Sequence, residues 1–195
     1  MRIAVSGARP DAAERAALRF AAEGARLIVS FGIAGALDPT LRAGDIILAS
    51  HVGEGGASYP CVRLAGQGGT VWREGPVLGS DRLIGDPVEK ARLARGGSLV
   101  VDMESHRVAR AAAAGGVPVA VLRAVSDTSI QRLPAFVAGA VRPDGTPRLA
   151  PILTGLVRNP LALGDLIALH HGTRAALSAL AAVADDVLEA SRAHV

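Results

Sequence analysis

Residues Ser98-Leu-Val-Val-Asp-Met-Glu-Ser-His-Arg-Val-Ala-Arg-Ala-Ala-Ala-Ala-Gly-Gly-Val-Pro-Val-Ala-Val-Leu-Arg-Ala-Val-Ser-Asp127 carry the fold class. Ser98–Asp102 and Pro118–Ser126 are apolar runs that do not alternate, as strands covered on both faces require. Between them, Glu104–Ala114 reads as a helix stopped by Gly115-Gly116. Strand, helix and strand within about thirty residues predict a right-handed βαβ crossover and a sheet with helices on its faces. To the N-terminal side, Arg26–Phe31 is a further buried strand, Gly32–Pro39 a glycine-bearing turn and Gly44–Ser50 a strand. Arg2–Ser6 reads as a short strand entering a Ser-Gly turn, and Pro10-Asp11 open a helix over Ala12–Glu23 that Gly24 stops. Residues 51–75 are glycine-rich and predict a loop with one edge strand at most. Asp86-Pro87 cap and start a helix that ends at Gly96-Gly97, Arg142-Pro-Asp-Gly145 is a turn, and Ala/Leu periodicity from Ala162 to Arg192 predicts a long terminal helix. The sum is one α/β domain over residues 1–195, with a mostly parallel central sheet flanked by helices.

Composition narrows the function classes. Of 195 residues, half are apolar and a fifth charged, and the mean hydropathy is +0.34, which excludes disorder and allows a sizeable core. Twenty-one basic against 18 acidic residues give a net charge of +3. The arginines are scattered and Lys90 is the sole lysine, so the basic balance reads as an arginine- and alanine-rich codon bias rather than a polyanion surface. With aromatics at only 3%, no nucleic-acid partner is expected. The single cysteine, Cys61, allows no internal disulfide or cysteine-rich zinc site and points to a cytoplasmic protein. The five histidines, His51, His106, His170, His171 and His194, lack metal-ligand spacing, so no metal is expected. The start of the chain is too short an apolar run for a signal peptide. Leu27–Leu41 and Ala111–Leu122 fall short of the ~18 residues of a membrane span; a soluble protein is expected, with transient contact at a membrane surface left open.

Ligands of open parallel sheets bind beyond the carboxyl ends of the strands, and three such ends carry unusual residues. Gly32-Ile33-Ala34-Gly35 has few side chains to keep an anion from backbone N–H groups, although a tight turn explains the glycines equally. Asp102-Met103-Glu104 places two acids where a strand passes into a helix; an acid there is also an ordinary partner of the helix dipole. Arg123 lies inside a strand that ends in Ser126-Asp127. The aspartate alone would be a helix cap, but a buried guanidinium needs an anionic or carbonyl partner. If the crossover brings Glu104 and Asp127 to one end of the sheet, the result is a polar rim suited to acid-assisted cleavage of a glycosidic bond.

These motifs resemble those of the purine nucleoside phosphorylase/methylthioadenosine nucleosidase superfamily. Ser30–Ala49 is similar to its glycine turn and following strand, Val101-Asp-Met-Glu-Ser105 to its ribose-binding motif, and Arg123-Ala-Val-Ser-Asp127 to its base-site motif. Asp102-Met-Glu-Ser-His106, the Arg-Pro-Asp-Gly145 turn and the leucine-rich tail look most like the hopanoid-associated phosphorylase branch. The resemblance implies release of adenine from adenosylhopane in hopanoid biosynthesis, with a methylthioadenosine or S-adenosylhomocysteine nucleosidase, or a non-catalytic nucleoside-binding subunit, as the alternatives. It implies that Asp127 hydrogen-bonds to or protonates purine N7 with Ser126 beside it. Glu104, aided by Asp102, would grip the ribose and Met103 would pack on the sugar. Arg123 would hold the rim, and Leu83 would take the place where relatives stack an aromatic on the base. Gly32, Ile33 and Gly35 fall at the nucleophile site, where phosphorylases place Arg and Ser or Thr. With Ile33 and Phe31 there, phosphate is a possible co-substrate and water an equal candidate. No other cofactor is implied; a homo-oligomer is. Relatives begin with an extra strand; Met1–Gly7 resembles their second conserved strand, so the first is missing and a truncated start or a partly disabled enzyme is expected.

Overall fold

The computed structural model describes residues 1–7, 9–64, 72–139 and 149–193. At its centre is one sheet of β1 (Ile28–Ala36), β2 (Ile46–Glu54), β3 (Ala57–Pro60), β4 (Arg73–Gly79), β5 (Val100–Asp102) and β6 (Val119–Asp127), in the order β3-β2-β4-β5-β1-β6. The start of β2 also pairs with β6, Ile46 facing Ala124 and Ile47 facing Arg123, so every strand but β3 joins a closed ring. Around it lie α1 (Pro10–Ala22), α2 (Pro87–Ala94), α3 (Ser105–Ala114), α4 (Leu149–Arg158) and α5 (Leu163–Ala193). One core joins α1 and α3 to the β1, β2 and β6 residues Ala34, Val52 and Val121; a second joins Ile46, Leu122 and Ala124 to α5.

The α/β architecture matches the expectation, but the sheet is mixed. β1–β6, β2–β4 and β4–β5 are parallel, whereas β1–β5, β2–β3 and β2–β6 are antiparallel. Because β1 runs with β6 and against β5, β5 and β6 oppose each other, and α3 makes no parallel crossover between them. A continuous apolar run reports burial on both faces and says nothing of strand direction.

Three local expectations also change. Arg2–Ser6 is not a strand: Met1, Ile3 and Val5 are exposed, and no described strand forms a ladder with this segment. An alternating pattern becomes a strand only when a partner supplies the ladder. Gly32–Ala36 is not a turn but the second half of β1. The turn follows at Asp38, whose Oδ1 accepts from the Thr40 N–H at 2.8 Å and the Thr40 hydroxyl at 2.6 Å. The described part of residues 51–75 is not mainly loop, for β2 runs on to Glu54, turns through Gly55 and Gly56 at φ 52° and 91°, and returns as β3. β4 begins at Arg73, inside the stretch read as loop; Gly75 has no Cβ to meet Leu99, so the strand passes under that side chain. The Arg142–Gly145 turn lies outside the described residues.

α1, α2 and α3 form where expected, α2 capped by Asp86, which accepts the Val88 N–H at 3.0 Å. α5 buries Gly172, Ala176, Leu180, Val183, Val187 and Ala190, a stripe of three- and four-residue steps that lies on the sheet. By length and composition alone Pro160–Ala193 could cross a membrane, but α5 lays its buried stripe against the sheet.

Candidate active site

Arg123 sits in the middle of β6, 1% exposed. Its Nε donates to Asp102 Oδ2 at 2.5 Å, Nη2 to Ser30 Oγ at 2.7 Å and Nη1 to the Leu122 carbonyl at 3.0 Å. Asp102, the last residue of β5, also accepts the Ser105 N–H at 3.2 Å and the Ser105 hydroxyl at 2.7 Å. Glu104, the N-cap of α3, makes no capping bond of its own, so Asp102 ties down the first turn of the helix on which Glu104 rides. A buried ion pair is tolerated when hydrogen bonds satisfy its remaining polar atoms, and this pair has them. The partner demanded by an arginine inside a strand is therefore Asp102, with a hydroxyl and a carbonyl besides.

Asp127 ends β6 and is 3% exposed. Its Oδ1 accepts the Ser126 hydroxyl at 2.8 Å, which also lies 3.2 Å from the Ala34 carbonyl. Its Oδ2 is ion-paired to Lys90 of α2, which is wholly buried. The same ammonium donates to the carbonyls of Thr128 at 2.9 Å and Gln131 at 3.4 Å. Oδ2 also faces Gly35, where a Cβ would stand 2.8 Å away. Gly35 is thus needed for space beside the carboxylate, not for a positive φ.

Gly35 is the hinge of the arrangement. It pairs with Val101 on one side and with Asp127 on the other. Two strand spacings of about 4.8 Å put the β5–α3 junction and the end of β6 about 10 Å apart in backbone terms. The sequence motifs do meet, through β1 lying between them rather than through a crossover. Glu104 is half-buried, and the Ser6 hydroxyl donates to its Oε1 at 2.6 Å. Met103, also half-buried, lies between the two acids in the chain.

Ile33 is exposed and, by strand alternation, points away from the face of β1 on which Ser30 meets Arg123. Gly32 lies beside Arg123 instead, its missing Cβ 3.6 Å from Nη1. Leu83 is half-buried in the segment before α2; its neighbour Ile84 packs with Leu37 and Val101. A shallow concavity from Asp86 to Arg95 lies on the solvent face of α2. The reading of residues missed Lys90 and Ser6. For Lys90 a signal existed: one lysine kept in a chain that uses arginine at every other basic position of that class.

Cys61 is half-buried just after β3. Burial pushes its thiol up to about 11, against a smaller lowering by Arg123, and its Sγ lies 3.8 Å from the Tyr59 carbonyl. At pH 8, iodoacetamide should modify it roughly 100-fold more slowly than a free cysteine. A rate within a few-fold of the free thiol would contradict that burial.

A family model described as the phosphorylase superfamily matches residues 1–63 and 58–158. No curated protein matches in sequence. Among solved structures, a Helicobacter pylori 5′-methylthioadenosine/S-adenosylhomocysteine nucleosidase variant holding 5′-methylthioadenosine superposes with a TM-score of 0.59 at 16% identity, over 92% of this chain and 78% of that one. The Streptococcus pyogenes S-adenosylhomocysteine nucleosidase gives 0.57 at 20% identity, over 80% and 78%. A futalosine hydrolase variant from Helicobacter pylori gives 0.56 at 19%, over 62% and 67%. At these identities the likeness is one of fold.

Proposed function

We propose that this chain, which belongs to the phosphorylase superfamily, cleaves the N-glycosidic bond of an adenine nucleoside and releases adenine. One observation carries the reading. A buried, hydrogen-bonded Asp127 and the Asp102–Glu104 acid pair flank Gly35, about two strand spacings apart. That separation suits a purine at one end and a ribose at the other. In the reaction the C1′–N9 bond breaks and its electron pair goes to the base. Asp127 supports that charge at purine N7, while Glu104 holds ribose hydroxyls and favours the cationic sugar of the transition state. Arg123 and Asp102 act as positioning residues, since their pair anchors the start of α3 and hence Glu104.

The nucleophile is proposed to be water. The Arg123 nitrogens are each engaged inside the protein, and Ile33 offers no polar group to a phosphate. Adenine release should therefore proceed at the same rate with and without millimolar phosphate. Stimulation of tenfold or more would assign phosphorolysis instead.

For the substrate tail, the likeness of Asp102–His106 to the hopanoid-associated branch favours adenosylhopane, and the exposed Leu153, Val157 and Leu161 offer apolar surface for a lipid. The nucleosidase folds of the solved neighbours favour methylthioadenosine or S-adenosylhomocysteine as the second reading. Adenine release by the purified chain from adenosylhopane, from both of these and from adenosine ranks the substrates. Failure to release adenine from any of them defeats the proposal.

A further inference from the structure

We infer that Lys90 supplies the proton that Asp127 delivers to the leaving purine, so that the two side chains work as one acid. The inference rests on the adenine-releasing reading above. Lys90 is completely buried, and its ammonium faces three acceptors: Asp127 Oδ2 and the carbonyls of Thr128 and Gln131. Of these only Asp127 carries charge. An aspartate already paired with a cation is a carboxylate, an acceptor with no proton to give. Adenine departs as a neutral molecule only if N7 gains a proton, and the acid in contact with Asp127 is Lys90. The residue type fits. An arginine in its place would hold the carboxylate equally well but cannot release a proton, whereas a buried lysine can.

The geometry gives the proton one path. Oδ2, the oxygen paired with Lys90, packs directly on Gly35 of β1, which has no Cβ to push the carboxylate aside. As the C1′–N9 bond breaks and its electron pair moves into the purine, Oδ2 takes a proton from Lys90 Nζ and passes it to N7. Lys90 ends neutral, Asp127 ends as a carboxylate, adenine leaves neutral, and the water that adds to C1′ gives up a proton to solvent. Solvent returns a proton to Lys90 once adenine has gone. Lys90 does not touch the substrate; it acts through Asp127.

Leaving-group dependence separates proton supply from mere support of the fold. Lys90→Met and Lys90→Gln are compared with the unsubstituted chain on the best adenine nucleoside and on 4-nitrophenyl β-D-riboside, whose nitrophenolate departs without a proton. Adenine release should fall on the order of 10²-fold or more. Nitrophenolate release should fall far less, so the ratio of the two rates shifts at least tenfold in both variants. Equal losses on the two substrates, or unchanged adenine release, overturn the inference and leave the adenine reading standing. An unsubstituted chain that frees no adenine removes both.

Discussion

Asp127→Asn should cut adenine release by roughly 10²–10⁴-fold while changing nucleoside affinity little. The amide nearly matches the carboxylate in shape and keeps an oxygen for the Ser126 hydroxyl, which now lies 2.8 Å from Oδ1. It can neither carry a proton nor balance the Lys90 ammonium. The loss should therefore appear in kcat, with KM altered by only a few-fold. The unbalanced ammonium also costs stability, so the assay belongs well below the variant's melting temperature, with the fold checked by circular dichroism. A folded variant whose kcat stays within threefold of the unsubstituted chain would remove Asp127 from the chemistry.

Arg123→Met should lower the unfolding free energy by about 3–5 kcal/mol. For a chain of this size that corresponds to a fall in Tm of roughly 10 °C. The guanidinium is 1% exposed and bonds Asp102, Ser30 and the Leu122 carbonyl. Its loss leaves a buried carboxylate with only Ser105 to satisfy it. Adding Asp102→Leu should recover part of the loss, because removing both charges costs less than stranding one. Paired denaturant melts measure both effects. A single-variant loss below about 1 kcal/mol would show that the pair does not hold β5 to β6.

The three motifs were legible because their residue types conflict with their surroundings. Arg123 stands in an otherwise apolar strand, and Asp102 and Asp127 follow apolar runs, so each signals a local demand that burial alone cannot meet. Ser6 gave no such signal, and Lys90 only that of a lone lysine in an arginine-rich chain. Their partners, Glu104 and Asp127, lie 98 and 37 residues away along the chain, and no local pattern encodes a contact at that separation. β4 begins within the glycine-rich stretch 51–75, and the Leu99 side chain for which Gly75 makes room comes from a distant segment.

Periodicity and capping residues settled the helices α1, α2, α3 and α5, the strands around Arg26–Phe31, Gly44–Ser50, Ser98–Asp102 and Pro118–Ser126, and the α/β class, since helix stripes and buried runs are local consequences of which side chains avoid water. Strand direction, the closure of β2 onto β6, the failure of Arg2–Ser6 to join the sheet and the Lys90–Asp127 pair came from packing across the chain. A buried strand satisfies its apolar side chains in either direction, and a buried ion pair is acceptable only where distant segments bring its partners together.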